Sequence, residues 1–426
     1  MPFYRAGPGG ANPPGVYRFT APPGACGTSK GGWSSVAARP LAGRYGGVVL
    51  DCDGVLYLRD QAIPAAQPAL AAIRALGVRV AFVTNNSTAP PAAVAGKLRG
   101  LGLAADPAEV ATSAQAVVRL LGGPGRLAGE RVLVVGGHGL RQALAEAGAE
   151  LLAPDEDWRV ATVVAVGLDT DLTYDRARRA ALAIHAGARF VGSNPDASLP
   201  TAEGPWPGAG SLLAMLQAAT GRRPQVAGKP EPPLLEAAAH TLGAGPYLMV
   251  GDRADTDVVG AERLGWDSAL VLTGVTRTED LPDLPVVPTW LLRDLGGLLD
   301  PVPATVRPAG RDERDAAARL LGGAGPVGEL GEVVVAVTGR QLAGAVAWSL
   351  RDGRAHLRGP LVVAPARGAL TGTRLLVAAG VRARRAGARS VSATADAPGF
   401  LARLGFRAGG DGRWTRPLGP APAQLR

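Results

Sequence analysis

The chain reads as an α/β protein: an open parallel sheet, interrupted by one inserted domain and followed by a separate C-terminal domain. Three observations predict this. Polar residues stand directly after short apolar runs, with Val48-Val49-Leu50 before Asp51, Val80-Ala81-Phe82-Val83 before Thr84, and Tyr247-Leu248-Met249-Val250 before Gly251-Asp252. Asp51 and Thr84 are 33 positions apart, and Lys229 and Asp252 are 23 apart, lengths that a strand-helix-strand crossover of roughly 30 residues covers. Thr84 and Lys229, by contrast, are 145 positions apart, too many for one crossover, so an inserted domain is expected to sit over the site as a cap.

The elements follow in order. Residues 1–43 are rich in Gly and Pro and lack the apolar core of a secretory signal, so a disordered extension is expected. At the end of the first apolar run, Asp51 and Asp53 project to one side of an extended segment while Cys52 points to the other. Two carboxylates that close disfavour joint ionisation, which suggests either a hard cation such as Mg2+ between them or a nucleophile beside a proton donor. Gly54 permits a sharp backbone exit. The alternative is a plain surface turn, where Asp and Gly are common. Three further signals weigh against it: Thr84-Asn85-Asn86-Ser87, Gly228-Lys229-Pro230, and Gly251-Asp252 with Asp255 and Asp257 beyond. In an open parallel sheet, ligands bind outside the carboxyl ends of the strands, so the fold gathers such residues into one pocket. Lys229 is one of only three lysines among 45 basic residues, which hints at a need for a compact ammonium where the composition otherwise favours Arg.

The order Asp51-Cys52-Asp53-Gly54, Thr84-Asn85-Asn86, Lys229 and Gly251-Asp252 to Asp257 resembles the haloacid dehalogenase (HAD) superfamily. More narrowly it is similar to its class IIA phosphatases, the NagD, p-nitrophenyl phosphatase and phosphoglycolate phosphatase group. Thr112-Ser113-Ala114-Gln115-Ala116, Val166-Gly167-Leu168-Asp169, Ser193-Asn194-Pro195-Asp196, Pro207-Gly208-Ala209-Gly210 and Leu272-Thr273-Gly274-Val275 extend the likeness. The resemblance implies a Rossmann-like core at 44–111 and 206–299 with an α/β cap of the C2 type at 112–205. It implies hydrolysis of a small phosphomonoester through an aspartyl-phosphate, with Asp51 as nucleophile and Asp53 as acid and base. Mg2+ would be held by Asp51, the Asp53 carbonyl and Asp252, and phosphate by Thr84, Asn85 and Lys229. Asp257 would stand behind these ligands and keep water in place. Asn194, Asp196 and Trp206 lie where such caps select substrate, or else they only pack the hinge.

Residues 305–418 form a distinct pattern of strand, helix, three β-type runs, the turn Arg367-Gly368-Ala369-Leu370-Thr371-Gly372 and an Ala/Arg-rich helix. With Gly399-Phe400-Leu401-Ala402-Arg403-Leu404-Gly405-Phe406, this resembles the α+β GCN5-related N-acetyltransferase (GNAT) fold. The resemblance implies an acetyl-CoA loop at Arg367, Gly368 and Gly372, whose backbone N–H groups would meet pyrophosphate. Leu370 departs from that family's glycine, and no Tyr stands near Phe400, so a degenerate module that stabilises or regulates the phosphatase is the expectation. A phosphatase bearing such a domain is similar to the actinobacterial glycerol 3-phosphate phosphatases, which makes glycerol 3-phosphate the expected substrate.

Charge and composition bound the partners. The chain carries a net +9, but residues 45–304 hold 21 basic against 28 acidic residues, while 305–426 hold 19 against 8. The catalytic region is therefore acidic, and with 4% aromatics there is little to stack on bases, so specific nucleic-acid binding is not expected. No apolar run is long enough for a membrane span. Two cysteines, Cys26 and Cys52, make no disulfide framework, which points to a reducing cytoplasm. A small phosphorylated substrate and a homodimer complete the expected partners. The four histidines, at 138, 185, 240 and 356, show no metal-ligand spacing.

Overall fold

A computed structural model describes residues 39–201, 203–322, 331–363, 370–394, 398–410 and 412–419. Most of the expected N-terminal extension, with Cys26, and the turn residues Arg367 and Gly368 lie outside the described residues. The chain divides into two compact units, residues 39–277 with 284–302, and residues 278–283 with 303–426.

The first unit is built on a six-stranded sheet. In spatial order its strands are Trp290–Leu292, Asp267–Val271, Tyr247–Gly251, Gly47–Asp51, Arg79–Thr84 and Val110–Thr112. Every neighbouring pair is parallel. A parallel sheet is covered on both faces, which is why the central Gly47–Asp51 strand is a continuous apolar run with every residue buried. Its side chains divide by alternation. Val48 and Leu50 join Val80, Phe82, Leu248 and Val250 in one hydrophobic cluster. Val49 joins Ala81, Val83 and Met249 in the other. Common strand direction then brings Asp51, Thr84 and Gly251 to the same edge of the sheet.

The inserted segment carries its own parallel sheet, ordered Gln225–Val226, Arg189–Gly192, Val163–Val166, Arg131–Val135, Glu150–Leu151. Its edge strand at Gln225–Val226 falls after the expected return to the core at residue 206. At the other end, Thr112 both closes the last core strand and caps helix Ser113–Leu121. The Thr112 hydroxyl accepts from the Gln115 N–H at 3.4 Å, and the Gln115 side chain accepts from the Thr112 N–H at 3.1 Å, a reciprocal capping box. Leu41 and Ala42, expected within the disordered extension, are buried in the core beside Leu298.

The second unit is a seven-stranded sheet ordered Thr305–Pro308, Glu332–Thr338, Gln341–Arg351, Arg354–Val362, Ser390–Thr394, Arg413–Pro417, Arg407–Ala408. Among the described residues of this sheet, only Arg354–Val362 and Ser390–Thr394 pair parallel, and helix Thr371–Arg385 provides the crossover that a parallel pair needs. The turn Thr278–Asp283, which falls inside the expected core at 206–299, groups with this unit: the Asp283 carbonyl accepts from Arg384 at 2.6 Å, and its carboxylate pairs with Arg416. No helix among the described residues is long and apolar enough to cross a membrane.

Candidate active site

The carboxyl edge of the first sheet concentrates buried charge. Asp51 closes the central strand, and Asp252 and Asp257 follow the neighbouring one, the latter on the helical turn Ala254–Val258. One oxygen from each of the three lies within 4.8 Å of the others. Lys229 enters between them, its Nζ 2.7 Å from Asp51 Oδ1 and 2.7 Å from Asp257 Oδ1. It is 2% exposed, so water contributes little to screening these pairs.

The electrostatics follow from that burial. Burial pushes the Asp51 carboxyl well up, and the Lys229 ammonium opposes the shift. Asp252 is pushed up to about 6 by burial and by the Asp257 charge. Burial disfavours the Lys229 ammonium, but Asp257 and Asp51 more than offset this and hold it protonated. Three carboxylates against one ammonium leave an excess of two negative charges, the complement of one divalent cation. The donors are all oxygens, as hard cations prefer. The backbone makes room for them. A Cβ at Gly54, where φ is +78°, would stand 2.3 Å from Asp252 Oδ2, and one at Gly274 would stand 1.9 Å from it. The same oxygen accepts the Val275 N–H at 2.6 Å, so the Asp252 carboxylate is held in a cradle that only glycines leave open. Mg2+ therefore fits the residues present.

Asp53 stands at the exposed mouth of the site, with its carboxyl raised by burial of its surroundings, against the pull of Lys97 and the Tyr57 hydrogen bond. The Tyr57 hydroxyl donates to Asp53 Oδ2 at 3.2 Å. Thr84 is buried and accepts the Asn86 N–H at 3.1 Å, which leaves its own hydroxyl hydrogen to donate. Asn85 differs from expectation. Its Oδ1 accepts the Lys229 N–H at 2.9 Å, and its Nδ2 donates to the Lys229 carbonyl at 3.1 Å and to Asp196 at 3.0 Å. Its side-chain amide, expected on phosphate, is committed to holding the Lys229 loop.

Of the expected cap residues, Asn194 and Asp196 meet the core. Asn194 Nδ2 donates to the Asn85 carbonyl at 2.7 Å, and Asp196 faces Arg253 at 3.7 Å. Trp206 stands 43% exposed on the hairpin of Ser198–Thr201 and Gly204–Pro207. Sequence reasoning passed over Arg253, although its place next to Asp252 marked it. It also passed over Tyr57, three positions beyond Gly54.

A family profile described as haloacid dehalogenase-like hydrolase matches residues 48–150, and a HAD hydrolase-like profile matches residues 226–298. An acid sugar phosphatase from Staphylococcus haemolyticus is 38% identical over 253 residues, covering 59% of this chain and 94% of the relative. The chain belongs to the haloacid dehalogenase-like hydrolases. Within this family it is a phosphatase of the NagD-like class, and NagD from Escherichia coli matches at a TM-score of 0.53 with 29% identity, over 59% of this chain and 97% of that one. The glycerol phosphate phosphatase from Mycobacterium tuberculosis, solved in complex with magnesium, matches at a TM-score of 0.66 with 30% identity. That match covers 86% of this chain and 99% of the other, so it reaches beyond the hydrolase region. HAD phosphatases use Mg2+, and the acidic cluster here suits it.

Proposed function

We propose that the protein hydrolyses a small phosphomonoester, glycerol 3-phosphate by preference, through an aspartyl-phosphate. The observation that carries this reading is the Lys229 ammonium fixed 2.7 Å from Asp51 Oδ1, at the end of the central strand. The ammonium orients the attacking carboxylate and supplies positive charge where the phosphoryl oxygens gather it, which is the main source of catalysis in phosphoryl transfer. Asp51 attacks phosphorus, and the ester oxygen departs with its electron pair and takes a proton from Asp53. Asp53 then takes a proton from the water that attacks the acyl phosphate, which returns Asp51 and releases inorganic phosphate. Thr84 donates to a phosphoryl oxygen. Mg2+, held by Asp51, Asp252 and the Asp53 carbonyl, would neutralise charge on substrate and carboxylates together. Asp257 keeps Lys229 charged and aimed.

Glycerol 3-phosphate is favoured because the match to a glycerol phosphate phosphatase runs through the C-terminal unit as well as the hydrolase. A sugar phosphate is the second reading, favoured by the 38% identity to an acid sugar phosphatase. The cap residues Asn194, Asp196 and Trp206 are the proposed selectors. A phosphate-release screen over glycerol 3-phosphate, phosphoglycolate, sugar phosphates and nucleotides tests the substrate. Asp51→Asn tests the chemistry, and retained turnover in that variant would remove the nucleophile assignment.

We read the C-terminal unit as a GNAT-like module that serves the phosphatase. Leu370, at φ 54° just before helix Thr371–Arg385, puts a Cβ where an acetyl-CoA loop needs close backbone approach. Calorimetry with acetyl-CoA tests this, and heat of binding that Gly372→Trp abolishes would overturn it. We also propose a homodimer, which light scattering checks.

A further inference from the structure

Tyr57 and Lys97 have no part in the chemistry above, yet both crowd the residue assigned as its acid. Immediately after Asp53 the chain forms a small antiparallel hairpin of Tyr57–Leu58 and Gln61–Ala62. The turn folds back on itself, with the Gly54 N–H donating to the Tyr57 carbonyl at 2.8 Å. Tyr57 is buried, and its hydroxyl is the one side-chain donor to Asp53 among the described residues. At 3.2 Å the bond is long for a hydroxyl, so it restrains orientation more than it adds affinity. A phenol, with an ordinary pKa of about 10, is protonated at neutral pH, so it remains a donor.

Lys97 holds Tyr57 through its ring face. It projects from helix Pro91–Gly100, a core element, and its Nζ lies 4.2 Å from the centre of the Tyr57 ring. The same nitrogen is 3.8 Å from Asp60 Oδ1, on the turn between the two hairpin strands. One ammonium thus ties the core helix to both the start and the turn of the hairpin. A surface ion pair contributes little by itself, but a cation over an aromatic face is attracted by the ring as well. Apart from the catalytic Lys229, Lys97 is the only lysine among the described residues, in a chain that otherwise uses Arg.

We propose that Tyr57, held in place by Lys97, is a positioning residue that aims the Asp53 carboxyl at the ester oxygen of the departing alcohol. This rests on the assignment of Asp53 as general acid. In the step concerned, the bond from Asp51 oxygen to phosphorus forms, the bond from phosphorus to ester oxygen breaks, and its electron pair takes the Asp53 proton. An alkoxide such as that of glycerol is a poor leaving group without the proton. A p-nitrophenolate departs as the anion. Because Asp53 is also the base for the later hydrolysis, which is common to all esters, the two are separated on kcat/KM, which reads only the steps up to alcohol departure: there a misaimed acid penalises alkyl esters and spares aryl esters, a pattern that general loss of structure does not produce.

The test is steady-state kinetics of the full chain with Mg2+ on glycerol 3-phosphate and on p-nitrophenyl phosphate, with Asp53→Asn as reference. General acid help is worth about 10²–10⁴-fold, so loss of aim alone in Tyr57→Phe is expected to lower kcat/KM on the alkyl ester about tenfold while kcat/KM on the aryl ester stays within about twofold. Lys97→Met is expected to show the same selectivity at smaller size, and Lys97→Arg, whose guanidinium also stacks on an aromatic face, to restore it. Should Asp53→Asn discriminate between the esters while Tyr57→Phe and Lys97→Met lower both equally or neither, the positioning role is overturned and the acid assignment stands. Should Asp53→Asn itself fail to discriminate, the acid assignment falls and this inference with it.

Discussion

Lys229 Nζ lies 2.7 Å from Asp257 Oδ1, and both residues are almost completely buried. The same ammonium is equally close to Asp51, so a single compact cation bridges the loops that follow two neighbouring strands. A buried ion pair adds little to stability relative to an apolar pair of the same shape, because desolvation cancels much of the attraction. Its worth here is chemical: Asp257 holds the ammonium against the nucleophile before any phosphate arrives.

Replacing that cation separates the two roles. Lys229→Met leaves two buried carboxylates facing each other without the ammonium, which typically costs about 3–5 kcal/mol when one partner of a buried pair is removed. Turnover of p-nitrophenyl phosphate is expected to fall by roughly 10³-fold or more, on the scale of losing one donor at a developing charge. Lys229→Arg is not expected to restore it, since a planar guanidinium cannot occupy the space of an ammonium between two oxygens. Thermal unfolding and kinetics on both variants check this, and near-normal turnover in either would contradict the arrangement.

The acidic cluster also sets how metal and pH act on stability. The Asp252 carboxyl is raised from 3.8 to about 6 by burial and the Asp257 charge. Between those values the folded protein binds more protons than the unfolded chain, so its stability falls as pH rises through that window and stays reduced above it. The shift corresponds to an upper bound on the order of 3 kcal/mol. Mg2+ removes the cost by neutralising the cluster, so the gain in Tm on adding Mg2+ is expected to be larger at about pH 7.5 than at about pH 5. Equal gains at both would show that Asp252 does not carry the shift.

Much of this site is legible in the chain itself, and the reason is topological. Asp51, Thr84 and Asp252 each follow an apolar run, and a parallel sheet delivers the ends of such runs to one edge. What escapes a sequence reading is whatever depends on a distant partner. The Asn85 amide faces the backbone of Lys229, 144 positions away, and no local pattern distinguishes that from a donor aimed at phosphate. The Tyr57 hairpin and the Gln225–Val226 edge strand have two-residue strands, too short to display any periodicity. Thr278–Asp283 groups with the second unit through arginine contacts from Arg384 and Arg416, more than 100 positions further along.

The glycine cradle around Asp252 predicts a metal phenotype. In Gly274→Ala the new Cβ would fall 1.9 Å from Asp252 Oδ2, so the carboxylate must move. Disturbing a metal ligand's support typically costs about 10–100-fold in metal affinity. The Mg2+ concentration for half-maximal activity is expected to rise by about that factor, with excess Mg2+ recovering part of kcat. An unchanged Mg2+ titration would mean that Asp252 does not hold the ion.

Asn85 supports a final prediction, because its amide pairs with both backbone groups of one residue. Its Oδ1 accepts the Lys229 N–H and its Nδ2 donates to the Lys229 carbonyl, so the loop that presents the catalytic ammonium is fastened to the end of the Arg79–Thr84 strand. Asn85→Ala strips partners from buried backbone groups at about 1–3 kcal/mol each. Asn85→Asp keeps an acceptor for the N–H but turns the donor into a second acceptor facing a carbonyl, and it adds negative charge beside Asp196. Asn85→Asp is therefore expected to destabilise at least as much as Asn85→Ala despite its closer shape. In both variants kcat should fall more than KM rises, because the ammonium loses its placement while Thr84 and the carboxylates remain. Thermal unfolding with kinetics on p-nitrophenyl phosphate decides it. A large rise in KM with kcat preserved would instead return the Asn85 amide to the phosphate.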